Sequence, residues 1–275
     1  MTAPILGVIV GLILGLTGAG GSVIAVPLLM WGMHWNLAQA APTALLAVSA
    51  AAALGTFGAW RQGIVRYRAA FVMSISGLCL APVGIWLGNA LSNDILIALF
   101  ACVLVIVAVR ILKSARTSPE EANIVRAGLR HQQENPEDPV CTMSPLTGQL
   151  RWTRPCALAI TASGMVTGLL SGMLGVGGGF VIVPALRAVT DLSFHSAVAT
   201  SLMAIAITSA GTVTIAWMQG VHLPWAISAP FMGGAIAGML LGRTLADRIA
   251  GPTLQSGFAI VMLGISIALL TGTFM

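Results

Sequence analysis

The chain has 275 residues, 57% of them hydrophobic and only 8% charged, a balance that excludes an ordinary water-soluble domain. Its mean hydropathy is +0.95, and its net charge of +5, with an isoelectric point near 9.7, needs no polyanionic partner. Basic residues kept on the cytoplasmic side of a membrane account for that excess, and no basic stripe interleaved with aromatics points to nucleic acid.

Apolar runs long enough to span hydrocarbon, about 20 residues each, recur along most of the length. Unpaired backbone groups in lipid cost several kcal/mol each, so these runs must be helices, and no strand-like alternation suggests a barrel. The expected fold class is an all-α polytopic membrane protein. The opening MTAPILG lacks a positive n-region and a small-residue cleavage site, so it reads as the first membrane segment. From residue 3 to 33 the apolar run is interrupted by Thr17–Ser22, TGAGGS, leaving two pieces too short for ordinary spans. A broken, re-entrant helix pair is expected there, because glycines accept the positive φ of a reversal and let another backbone or a ligand come close.

Three fuller helices are expected at about 38–60, 68–90 and 92–113. Residues 114–152 form the one hydrophilic stretch, with charges of both signs and prolines at 119, 136, 139 and 145, and read as a solvated cytoplasmic linker. The second half repeats the order: a broken pair at about 153–174 and 178–190, then helices near 194–218, 222–246 and 251–274. The units are thus 1–113, an N-terminal repeat, and 153–275, a C-terminal repeat. The repetition is literal. Gly11–Pro27, GLILGLTGAGGSVIAVP, lies without a gap on Gly168–Pro184, GLLSGMLGVGGGFVIVP, and in the same register Thr43 falls on Thr200 and Trp60–Gly63 on Trp217–Gly220.

Five segments per unit make the second copy enter the membrane from the opposite side, so the repeats are expected to have inverted topology. With the linker inside, all 13 basic residues fall on one face, as the positive-inside rule requires, and both termini lie outside. Cys79, Cys102, Cys141 and Cys156 show no CxxC or metal spacing and read as packing thiols, neither disulfides nor ligands. No metal or cofactor is expected.

The doubled glycine loop followed by Val-Pro, in two halves joined by a polar linker, resembles the TauE/SafE family of membrane transporters, the sulfite exporters. Its bearers here are Gly18, Gly20, Gly21 and Pro27, then Gly175, Gly177, Gly178, Gly179 and Pro184. The resemblance implies a multi-pass protein of a bacterial cytoplasmic membrane that transports small sulfur-containing or organic anions such as sulfite, sulfoacetate and related sulfonates. The first copy departs in having Ala19 and Ser22 where the second has Val176 and Gly179.

A helix that begins inside the membrane points unpaired N–H groups and about half a positive charge at whatever lies before it, which suits an anion. The helix starts at Ser22 and Gly179 are expected to face one another near the midplane. Around them Gly18, Gly20, Gly21, Gly175, Gly177 and Gly178 are the candidate substrate-binding residues, with the hydroxyls of Ser22, Thr43, Thr200 and Ser201 completing the coordination. The plain alternative is that these glycines serve tight helix packing and these hydroxyls bond back to their own backbone. Trp60 and Trp217 read as interfacial anchors, with Gln62 and Gln219 beside them. No charged residue is expected deep in a helix; His34, His195, His222, Asp94 and Asp191 all stand at segment ends. A coupling proton, a candidate partner alongside the anion and the bilayer, then rides on the substrate, since sulfite titrates near neutrality.

The leading function is a secondary transporter working by alternating access around a central site. An anion channel using the same helix N-termini is the alternative. An intramembrane enzyme is the third: Ser171 stands near the glycine cluster, yet no HExxH motif or carboxylate dyad occurs, and no enzymatic activity is expected.

Overall fold

A computed structural model of the chain describes residues 2–18, 20–61, 63–117, 141, 152–190, 194–221, 223–249 and 252–271. Among them run α1 (Thr2–Thr17), α2 (Gly20–Met33), α3 (Leu37–Arg61), α4 (Tyr67–Ala90) and α5 (Asn93–Thr117), then α6 (Arg154–Leu174), α7 (Gly179–Val189), α8 (Phe194–Met218), α9 (Trp225–Ile249) and α10 (Pro252–Leu270). The fold is all-helical, and six of these helices are long and apolar enough to cross a membrane. The short helices α1 and α2 stand where the first broken pair was expected; in the second, only α7 is short, and α6, with 21 residues, is itself long enough to cross. α5 runs on to Thr117, past the expected end near 113, because Lys113–Thr117 offers neither glycine nor proline to stop it.

The molecule is apolar outside. Trp60, Ile75, Trp86, Leu158, Trp217 and Ile260 are each more than half exposed, a belt that water would penalise and lipid accepts. The buried polar side chains among the described residues are all serine or threonine. Inside, small residues let backbones touch. Gly7, Gly11 and Gly15 of α1 stand against the main chain of Phe231, Ala235 and Met239 of α9, while Gly234, Gly238 and Gly242 of α9 face Pro4, Val8 and Leu12. The equivalent residues of the second half, Gly164, Gly168 and Gly172 of α6, meet Met73, Gly77 and Ala81 of α4 in the same way. These are four-residue ladders of small side chains, the usual means by which membrane helices approach closely.

The order of the contacts fixes directions. Positions rise together along α1 and α9 and along α4 and α6, so each pair is parallel. Thr43 with Ser228, and Gly58 with Arg243, make α3 and α9 parallel too, as Ser74 with Ala204 and Leu78 with Gly211 do for α4 and α8. Between α3 and α8 the order reverses: Gly55 meets Leu202, whereas Leu45 and Ser209 meet across Gly177. The first helices of the two halves, α1 and α6, therefore point in opposite directions.

Two cysteines correct the sequence reading. Cys141 and Cys156 form a disulfide; only Cys79 and Cys102 are free, and both lie on the outer surface. The pairing escapes a search for short cysteine motifs because the partners are 15 residues apart, brought together where Cys141 folds back beside the start of α6 and forms a backbone bridge with Thr190 at the end of α7.

Candidate functional site

Each broken pair is a helical hairpin. α2 returns along α1, with Gly21 against Val10 and Leu14, Gly32 against Leu6, and Thr2 Oγ1 donating to Met33 Sδ across the open end. The first hairpin turns at Gly18, where φ is +72°; the second turns through Gly175, Gly177 and Gly178, with φ of +66°, +69° and +62°. A residue with a Cβ would be strained at any of these. The tips are pinned across the halves: Gly18 lies on Val198 of α8, and Gly175 lies on Ala41 of α3, its repeat-related counterpart.

Between the tips, the helix starts approach each other. A Cβ at Gly179 would stand 3.4 Å from Ser22 Oγ, and one at Gly177 would stand 3.8 Å from Ser22 Cβ and 3.6 Å from Leu45 Cδ2. At the head of α7, the N–H groups of Val181 and Ile182 both donate to the Gly178 carbonyl. Those of Gly179 and Phe180 precede the first helical carbonyl and, as at any helix start, point back along the helix axis. Ser22 is buried at the start of α2.

The remaining sequence candidates divide by role. Gly21 and Gly178 close their own hairpins, on Leu14 and Thr167 respectively, and Gly20 opens α2. Thr43 Oγ1 shares a 3.0 Å hydrogen bond with Ser228 Oγ, Thr200 Oγ1 accepts from the Arg66 N–H at 3.1 Å, and Ser201 Oγ donates to Val198 O at 2.7 Å and toward Gly18 O at 3.4 Å. These three hydroxyls, all fully buried, tie helices together across the halves or to their own turn. His34 ends α2 with a left-handed φ of +53°. Gln62, Asp191 and His222 lie outside the described residues, as does the side chain of His195.

Two hydroxyls that sequence reading did not place in the site stand out. Ser209 Oγ on α8 and Ser171 Oγ on α6 are fully buried and have no hydrogen-bond partner. Ser209 Oγ lies 2.6 Å from the position a Gly177 Cβ would take. The signal was in the repeat register: Ser209 falls on Ala52 and Ser171 on Leu14, a polar residue in one half where the other is apolar. No histidine bonds Ser171, as an activated serine nucleophile would require.

Two arginines enter the bundle among the described residues, and Nε of the first, Arg66, is buried with no hydrogen-bond partner. The Arg243 guanidinium donates to the Gly55 carbonyl and occupies the space beside Gly58. Gly58 is within one turn of Arg61 at the end of α3, so this arginine belongs to the basic end of the bundle and not to the helix starts. A shallow, open cleft of about 480 Å³ lies on the outer face among Tyr67, Arg68, Phe71, Val72 and Trp152, away from the hairpin tips.

An all-helical, apolar-skinned bundle with half-length segments meeting inside it is the build of a polytopic membrane transporter. The chain belongs to the sulfite exporter TauE/SafE family, whose model matches residues 3–269. It is 30% identical to a probable membrane transporter protein of Xylella fastidiosa (strain 9a5c) over 95% of this chain and 91% of that one. It is 24% identical to the probable membrane transporter protein YunE of Bacillus subtilis (strain 168), over 94% of this chain and 93% of the relative. The probable membrane transporter protein MamO of Paramagnetospirillum magneticum is 26% identical over 71% of this chain but only 32% of its own length. No solved structure matches significantly.

Proposed function

We propose that this transporter carries small sulfur-containing or organic anions, of the sulfite, sulfoacetate and related sulfonate kind, across the cytoplasmic membrane by alternating access. The observation that carries this reading is the meeting of the α2 and α7 helix starts inside the bundle, with Ser22 Oγ facing Gly179. Helix N-termini carry positive partial charge, so two of them approaching each other inside the bundle favour negative charge there. The opposite directions of α1 and α6 support two inverted repeats, each a hairpin plus three helices, and the matched packing of α1 on α9 and α6 on α4 supports rocking of one half against the other. The arginines of the α3–α4 connection and those flanking the linker support a cytoplasmic linker, with both termini outside. Because the buried polar side chains among the described residues are only serine and threonine, a coupled proton rides on the anion.

The test is a panel of sulfite, thiosulfate, sulfoacetate, taurine, acetate and sulfate, measured by thermal shift on purified protein and then by counter-transport in liposomes. The expected result is stabilisation by sulfite or a sulfonate, saturable counter-transport of the same anion, and loss of both in Gly178→Leu. Flux without saturation or counter-transport would favour a channel, and no stabilisation by any member of the panel would overturn the reading.

A further inference from the structure

Serine and threonine hydroxyls in membrane helices ordinarily donate to a carbonyl three or four residues earlier. This molecule follows that habit at Thr17, Thr56, Ser74, Ser163, Thr167 and Thr212, among others. On the inner turns of α8, Thr208 donates to Ala204 O at 2.7 Å and Thr212 to Thr208 O at 2.8 Å. Ser209, between them, does not: its hydroxyl is fully buried, unpartnered and turned to the Gly177 reversal. A buried hydroxyl left without a partner is costly in a dry interior, and water or a ligand is the usual remedy.

We propose that Ser209 is a ligand-contacting, specificity-determining donor between the α2 and α7 helix starts, and that the site it completes selects small oxyanions carrying a single negative charge. The inference rests on the anion-transport reading and narrows it: hydrogensulfite and monosulfonates fit such a site, whereas sulfoacetate, a dianion at neutral pH, does not. Two helix N-termini supply about half a positive charge each, together about one unit. The nearest side chains around Gly177 and Gly179 are Ser22, Leu45, Ile205 and Ser209, none of them charged. A monoanion is matched by that field. A dianion leaves about one charge uncompensated in a medium that punishes it. The hydroxyl of Ser209 and the N–H groups of Gly179 and Phe180 are all donors, as the oxygens of a sulfonate or carboxylate require.

Methanesulfonate and sulfate are near in shape and differ by one charge, so they are the probes. Binding is measured by calorimetry and thermal shift on the purified full chain and on Ser209→Ala. Wild type should bind methanesulfonate at least about tenfold more tightly than sulfate, and Ser209→Ala should weaken methanesulfonate by about tenfold. The unliganded variant should melt at or above the wild-type temperature, because alanine is what the related position, Ala52, already holds in the core. Unchanged affinity in Ser209→Ala overturns the role of Ser209, as does a drop in the unliganded melting temperature that accounts for the loss. Sulfate binding as tightly as methanesulfonate overturns the charge selection. If neither probe binds a wild type that sulfite stabilises, this inference alone fails; if no anion stabilises it, the transport reading fails as well.

Discussion

Around the start of α2, the space left by Gly21 is filled by the Leu14 side chain and the Val10 carbonyl, whereas around the start of α7 the equivalent space beside Gly178 is filled by Thr167. Continuing the comparison, Leu14 is replaced by Ser171 and Ala52 by Ser209, and all four are fully buried. In the other direction only Ser22 stands against Gly179. Two tips of one backbone design have thus diverged in lining: the first is an apolar plug with one hydroxyl, the second a polar wall. Two hairpins pointing in opposite directions permit this, because close backbone packing constrains the glycines and leaves the side chains that line the tips free to differ.

The frame is where the halves should behave alike, and there the largest effect is expected. Gly168 lies on the backbone of Gly77, and Gly11 on the backbone of Ala235, so a side chain at either must push the paired helices apart. Overpacking against side chains costs about 1–3 kcal/mol, and backbone cannot yield as side chains do. Gly168→Val and Gly11→Val should each abolish most monodisperse protein in size-exclusion chromatography. Tolerance at one and failure at the other would break the equivalence of the two helix pairs.

The linings are where the halves should differ. Leu14→Ala removes a fully buried side chain packed on Gly21 and should cost about 3 kcal/mol, within the range for leucine-to-alanine changes in a core. Ser171→Ala, at the related position, removes a hydroxyl that bonds nothing, and should leave stability unchanged or raise it by about 1 kcal/mol. Equilibrium unfolding in mixed micelles measures both. Equal losses would mean that Ser171 packs as a structural group and the comparison between plug and wall is mistaken.

The sequence disclosed the frame more fully than the wall, for a physical reason. Apolar length and glycine punctuation fix where helices start and stop, and the repeat register places Gly18 on Gly175 without reference to three dimensions. What a hydroxyl does depends on its rotamer and on which neighbour has already claimed it. Thr43, Thr200 and Ser201 were legible as buried polar residues near helix starts, but their engagement with Ser228, the Arg66 N–H and the Val198 carbonyl was not. Ser209, with the same chemistry two turns further along α8, was passed over because nothing in its local sequence marks it. The cysteine pairing was hidden similarly, because composition does not encode that Cys141 stands beside the start of α6.

That pairing bears on the comparison at the opposite end of the hairpins. The open end of the first is joined by the Thr2 to Met33 contact at 3.6 Å, whereas the second has Cys156 in the first turn of α6 bonded to Cys141, which also bridges to Thr190 at the end of α7. Both legs of the polar-walled hairpin are therefore tied to the linker. A loop of 15 residues closed by a disulfide contributes about 3 kcal/mol at most, so Cys141→Ser should lower the melting temperature of the oxidised protein measurably. The tie also tests the orientation. Arg61, Arg66, Arg68 and Arg154 gather at this same end, which positive-inside retention assigns to the cytoplasm, where thiols are kept reduced. On the orientation proposed above, the basic end is cytoplasmic and the pair is reduced in the cell. Air-equilibrated purified protein, denatured without reductant, should therefore present two thiols to maleimide, and protein alkylated inside growing cells should present four. Two in both would put the linker, and the basic end with it, on the outer side of the membrane.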